Sequence, residues 1–255
     1  MERLGRQRKS FELNGNALRA WAVLFLAAGI VGRGIIQNHI LGIDRLTGAE
    51  LIAIMDASET NMSMVTVSLV LEAVETCAVP IFALLLVLGF QHTTDWKAYL
   101  VRVLKVGVLA EIPYNLLMGN ALGSRNPVFG VAIGLILLNF YQVYAEKGMK
   151  NTLIKLLVTV AAVVWCEMLR IEFGAALILI AASMWPKRDK PLYRNITGAT
   201  MSLVCSVISP FYMASAMSFM TIHFYNGEKS TNSRRINYLA YPVMLALGCV
   251  LGWIL

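Results

Sequence analysis

Apolar runs long enough to cross a bilayer, parted by short clusters of charge, limit this chain more than any other feature. A transmembrane helix needs about 20 mostly apolar residues. Such runs fall near Ala17–Leu41, Val74–Phe90, Tyr99–Met118, Pro127–Tyr144, Thr152–Met168, Phe173–Trp185, Ile196–Tyr225 and Tyr238–Leu255. Over 255 residues, 58% are apolar and 15% charged, too few charges to cover a water-exposed surface. Disorder, coiled coil, collagen-like repeat and nucleic-acid-binding domain are excluded as descriptions of the whole chain. The expectation is an all-α, polytopic transmembrane helix bundle of about eight spans, forming one domain over 1–255. Within it, 1–16 is a basic tail and 44–73 a polar, amphipathic segment.

The formal charge is 22 − 15 = +7. The basic residues gather between apolar runs, as Arg3, Arg6, Arg8 and Lys9, and again as Lys187, Arg188 and Lys190. Orientation explains this better than nucleic acid, because short cytoplasmic loops retain Lys and Arg. Lys97–Lys105 and Lys147–Lys155 fall on the same side, which places the N-terminus in the cytoplasm and acidic Asp44–Glu59 outside. The Arg234–Arg235 loop is external if Ile196–Tyr225 crosses once, and internal if that run folds back at Pro210. The tail lacks a small-residue cleavage site after a short apolar region, so no removable signal peptide is expected. Arg170–Ile171 is so short a connection that the helices on either side must be antiparallel neighbours. Cys77, Cys166, Cys205 and Cys249 each sit inside an apolar run without metal-ligand spacing, so no metal is expected. Phosphate-loop, dinucleotide, zinc-protease and nucleophile-elbow motifs are missing.

Ionisable side chains within a bilayer usually face a cavity or a partner. The best instance is Glu111-Ile112-Pro113-Tyr114-Asn115, with Glu111 near mid-depth of its run. Pro113 frees a carbonyl one turn earlier. One reading makes Glu111 a proton acceptor or ligand anchor in a polar cavity, with Asn115 on its face; the other makes it a carboxylate bonded to a neighbouring helix. Glu72 and Glu75 share a helix face that reads as interfacial. Arg19 and Arg33 lie near the two ends of the first helix, where both can snorkel to headgroups. His39, His92 and His223 all lie at membrane edges.

Ordered blocks resemble the TraX family. Phe11-Glu12-Leu13-Asn14-Gly15-Asn16-Ala17-Leu18-Arg19 is similar to its opening, followed by Val79–Thr93 and Ala110-Glu111-Ile112-Pro113-Tyr114-Asn115. Ile171-Glu172-Phe173-Gly174-Ala175 resembles a block containing Asp-Tyr-Gly, and Tyr225-Asn226-Gly227 and Tyr238-Leu239-Ala240-Tyr241-Pro242 match near the end. The resemblance spans the chain apart from an enlarged segment around Asp44–Glu72. It implies a multi-pass protein of the bacterial inner membrane, associated with conjugation and pilin acetylation. The activity implied is acetyltransferase-like, with acetyl-CoA or another acyl-CoA as donor. Its partners would be membrane lipid and a protein or small-molecule acyl acceptor, with no nucleic acid.

Two family features are absent. The family carries Asp-His on the first helix where a gapless alignment places Gly29 and Ile30, and Tyr-Pro-x-His where this chain has Met244. The enzyme reading therefore rests on Glu111, with His92 and His223 the candidate bases. Tyr114, Asn115, Glu172, Tyr225 and Asn226 would line the pocket. The alternatives are a non-catalytic binder of an acyl donor, lipid or partner, and a small-solute transporter.

Overall fold

Asn14 opens the first helix by accepting a hydrogen bond from the Ala17 amide at 2.9 Å, a side-chain cap for an otherwise unpaired donor. The fold is seen in a computed structural model that describes residues 12–43, 48–119, 123–228, 231 and 234–254. The basic residues Arg3, Arg6, Arg8 and Lys9, and Asp44 in the acidic loop, lie outside the described residues. The opening helix, α1 (Gly15–Gly29), widens without a break into π-type hydrogen bonding over Ile30–Ile40, as in the Leu41 amide bonding to Ile36 O at 3.0 Å. Its glycines allow close neighbours. A Cβ on Gly32 would stand 2.9 Å from the Ser68 carbonyl, and one on Gly34 2.7 Å from Leu117.

Then come α2 (Gly48–Ala57), α3 (Glu59–Glu75) and α4 (Ala78–Gln91). Only Thr76 and Cys77 separate the last two, so Glu59–Gln91 forms one rod of 33 residues. The sequence places this span at about Val74–Phe90, with a surface or partly inserted helix before it. The structure begins it fifteen residues earlier, because the polar groups of α3 turn inward. Gln37 Nε2 on the π segment donates to Ser68 Oγ at 3.1 Å, and both Ser68 and Glu75 are buried.

The remaining elements are α5 (Trp96–Leu117), α6 (Val128–Val143), α7 (Met149–Met168), α8 (Gly174–Met184), α9 (Pro191–Val204), α10 (Tyr212–Ser215), α11 (Ser218–His223) and α12 (Arg234–Ile254). Arg170 and Phe173 take positive φ in the turn between α7 and α8, which are antiparallel neighbours. Cys166 Sγ lies where a Cβ on Gly174 would approach to 2.9 Å. The centre is built from α4, α6 and α8, with Ile81, Leu84, Leu135, Leu138, Ile178 and Ile180 fully buried.

Ile196–Tyr225 folds back rather than crossing. α9 starts beside the α4 terminus, where Gln91 Nε2 donates to Asp189 Oδ1 at 3.2 Å. The chain returns to that same end, because the Asn226 amide bonds to Leu13 O at 3.0 Å just before α1. At the turn, Thr76 Oγ1 donates to Phe211 O at 3.0 Å and Cys77 Sγ contacts Ala214 O at 3.2 Å. Broken helices need such partners for their freed carbonyls. The ends of α4, α6 and α8 and the starts of α1, α5, α7, α9 and α12 thus share one end of the bundle, called here the near end. Lys97–Lys105, Lys147–Lys155 and Lys187–Arg194 all belong to it.

Among the described residues, three helices are long and apolar enough to span a membrane, Gly15–Ile40, Glu59–Gln91 and Met149–Met168; Val128–Val143, Gly174–Lys187 and Tyr238–Ile254 are shorter apolar helices. Large apolar side chains such as Ile112, Val207 and Trp253 are exposed on the outside, the surface of a protein solvated by lipid.

Candidate functional site

One arginine organises the interior. Arg33 projects from the π segment between two carboxylates, Glu75 at the end of α3 and Glu172 in the turn between α7 and α8. Its Nη2 and Nε reach Glu75 Oε2 at 2.7 and 3.0 Å, and its Nη1 bonds to Glu172 Oε1. Tyr114 donates its hydroxyl hydrogen bond to the other oxygen of Glu172 at 2.5 Å and lies 3.2 Å from Ser124 Oγ. The Phe173 ring covers the guanidinium at 5.4 Å. Glycine makes room for this cluster. A Cβ on Gly29 would fall 1.9 Å from the carboxyl carbon of Glu75, so the carboxylate rests directly on the α1 backbone.

A second acid–base pair lies beside the first. Glu111 Oε1 accepts from Arg125 Nη1 at 3.0 Å, and Oε2 from Asn126 Nδ2 at 2.6 Å. Asn126 also donates to Gly107 O at 2.8 Å, fixing the start of α6 against α5. The two pairs are tied through backbone, because the Arg125 amide bonds to Arg170 O and the Glu172 amide to Arg125 O.

Two cavities meet in this part of the bundle. The inner one, of about 180 Å³, is walled by Phe82, Leu85, Leu86, Val103, Val106 and Val131, and Glu172 and Phe173 lie on its lining. The outer one, of about 520 Å³, is polar and opens at the near end, with Arg19, His92, Thr93, Asp95 and Arg102 around it. Arg19, Gly89, Tyr99 and Tyr238 line both, so the apolar cavity adjoins the polar one. Arg19 Nε, at this junction, is buried with no hydrogen-bond partner among the described residues.

These positions sort the residues expected from sequence. Tyr114 and Glu172 belong to the Arg33 cluster. Glu111 is next to it but lines neither cavity, and Asn115 donates back to Glu111 O at 2.8 Å. His92 stands at the mouth. Exposed His223 packs edge-on against Phe224. Tyr225 and Asn226 hold the Leu13 region at the near end, with Tyr225 Oη donating to Glu228 O. Neither of the last three reaches the cluster. His39 is at the opposite end, its Nδ1 2.7 Å from Gly34 O.

Two readings need correction. Arg33 does not snorkel, because two carboxylates bind it inside the bundle. Glu75 is not interfacial; it is 3% exposed, its charge held by Arg33. Arg33 is the residue that sequence reasoning missed, and the glycines on either side of it, Gly32 and Gly34, are the signal of close packing that marks it as interior. Among the described residues no group of three or more His, Cys, Asp and Glu is placed to hold a metal ion.

The described residues form an all-helical bundle with a buried charge cluster beside two adjoining cavities, one apolar and one polar. The TraX protein family model matches residues 51–252, and the chain belongs to that family. The match includes the polar segment before Val74 and begins beyond the opening block around Asn14. No curated protein and no solved structure matches the chain.

Proposed function

We propose that this protein is a membrane acyltransferase of the TraX type that takes an acyl-CoA from the cytoplasmic end and presents its acyl group at the Arg33 cluster. The observation that carries this reading is the union of two cavities of opposite character. An acyl-CoA has a phosphorylated nucleotide, a thin arm and a thioester at the tip. Arg19, Arg102 and His92 at the mouth supply donors for phosphate oxygens, and the unpartnered Arg19 Nε suits an acceptor entering from the mouth. A tunnel of about 180 Å³ compares with the ~150 Å³ that houses a benzene ring. It has room for a short acyl group on its linker. The acceptor would be an amine or hydroxyl on a protein or small molecule.

The basic loops shared by the near end orient it to the cytoplasm. The fold-back at Pro210 brings the start of α12, with Arg234 and Arg235, to that side as well. The chain then makes seven passes and one re-entrant hairpin, one fewer crossing than a single pass through Ile196–Tyr225 would give.

Acetyl-CoA binding to the purified protein in nanodiscs, followed by release of free thiol, tests the reading. Saturable binding that a bulky Val131→Trp side chain weakens at least tenfold is expected; no binding, or binding indifferent to a filled tunnel, contradicts it. A second reading, a non-catalytic binder of an acyl donor, draws support from the lack of any described histidine at the inner cluster. Saturable binding with no thiol release would favour it. A solute transporter fits less well, because the path between mouth and cluster is apolar.

A further inference from the structure

Charge arithmetic at the inner cluster leaves something over. Arg33 carries one positive charge and is bonded to two carboxylates, Glu75 and Glu172, so the three groups hold one uncompensated negative charge in a mostly buried site. A buried charge without a partner is costly, and among the described residues no second cation is in contact. Tyr114, Tyr241 and Tyr212 stand nearby from α5, α12 and α10. Glu72 is on the same face of α3, and Glu111 is already paired with Arg125. One proton completes the balance. Of the two carboxylates, Glu75 is sealed against Gly29 while Glu172 lines the tunnel.

We infer that Arg33, Glu75 and Glu172 form a single-proton site, in which Glu172 exchanges the proton with the occupant of the tunnel. Resting on the acyl-transfer reading, Glu172 is then its catalytic residue. The acceptor's nitrogen or oxygen attacks the thioester carbonyl carbon and forms a new C–N or C–O bond. Glu172 gives its proton to the departing sulfur as the C–S bond breaks, and the proton released by the acceptor returns to Glu172. Atoms and charge balance without any further reactant. Arg33 and Tyr114 are positioning residues that hold one oxygen of Glu172 each, and Glu75 keeps Arg33 from pairing with Glu172 alone. This also accounts for Gly29: a carboxylate placed there would collide with the one that Glu75 already supplies.

Infrared difference spectra of the whole protein in nanodiscs, recorded through a pH titration, read the site without any substrate. The wild type should show one buried carboxylic-acid band. Glu172→Gln should abolish it, Tyr114→Phe should move it, and exposed Glu146→Gln should leave it alone. Should Glu172→Gln fail to fold, Glu172→Asp serves instead, and its band should shift. A wild type with no such band, or a band indifferent to the Glu172 and Tyr114 changes, overturns the inference. In the same preparation, thiol release from acetyl-CoA with hexylamine as acceptor should fall at least a hundredfold in Glu172→Gln. If the band behaves as stated but the wild type releases no thiol, acyl transfer fails and the proton site stands. Thiol release that ignores Glu172→Gln leaves acyl transfer standing and removes Glu172 from it.

Discussion

The Arg33 and Arg125 pairs lie side by side, yet their surroundings set them apart. Arg125 faces one carboxylate, Glu111, and its side chain is 42% exposed, so water screens the pair and the charges cancel. Arg33 faces two carboxylates, its side chain is 18% exposed and the Glu75 side chain only 4%. The first pair can be explained as a clamp, since Glu111 also accepts from Asn126 and fixes the start of α6. The second cannot be explained by packing economy, because buried ion pairs are weak sources of stability. A helix that gives up its side chain at Gly29 to seat the Glu75 carboxylate is organised around its chemistry. The lesson is that polarity within an apolar run marks two different things, and count of charges per cluster separates them.

The comparison breaks most severely at Arg33. Arg33→Met strands two buried carboxylates and should cost about 3–5 kcal/mol, read as a lowered midpoint of thermal unfolding in detergent by tryptophan fluorescence. A variant as stable as wild type would show that the cluster is not buried. Gly29→Ala comes next. Its methyl meets the Glu75 carboxylate and should cost about 1–3 kcal/mol, with Gly29→Ala/Glu75→Ala more stable than Gly29→Ala alone. A double variant no better than the single would place the strain elsewhere. Glu111→Gln keeps the Asn126 contact and loses only a partly exposed pair. It should cost about 1 kcal/mol or less; a loss as large as that from Arg33→Met would erase the distinction between the two regions.

Much of this architecture was legible in the chain because bilayer-length apolar runs leave little choice of element. α5, α6, α7 and α8 each overlap their runs, and the short Arg170–Ile171 link dictates the antiparallel pairing of the last two. α3 was harder, since Ser68, Glu72 and Glu75 lower its hydropathy whether they face water or a buried arginine. Only the partner, 42 residues away for Arg33 and Glu75, decides between them. The turn at Pro210 stayed open for a similar reason: the bond that closes it joins Asn226 to Leu13. At the site, Tyr114 and Glu172 stood out as polar groups in apolar runs. Arg33 did not, because an arginine seven residues from a helix end can reach headgroups as easily as carboxylates. The histidines attracted attention by residue type alone, and the fold spreads them over three separate places.

The central claim is that the donor's acyl tip lies beside Glu172, at the inner end of the tunnel. A photoreactive acyl-CoA, cross-linked to the protein in nanodiscs and mapped by mass spectrometry, tests it directly. Labelling should fall on tunnel-lining peptides around Phe82–Gly89 and Phe173–Leu177, and excess acetyl-CoA should suppress it. Labelling confined to the outward face of α7, or to the Glu111–Arg125 pair, and indifferent to acetyl-CoA, would contradict the account.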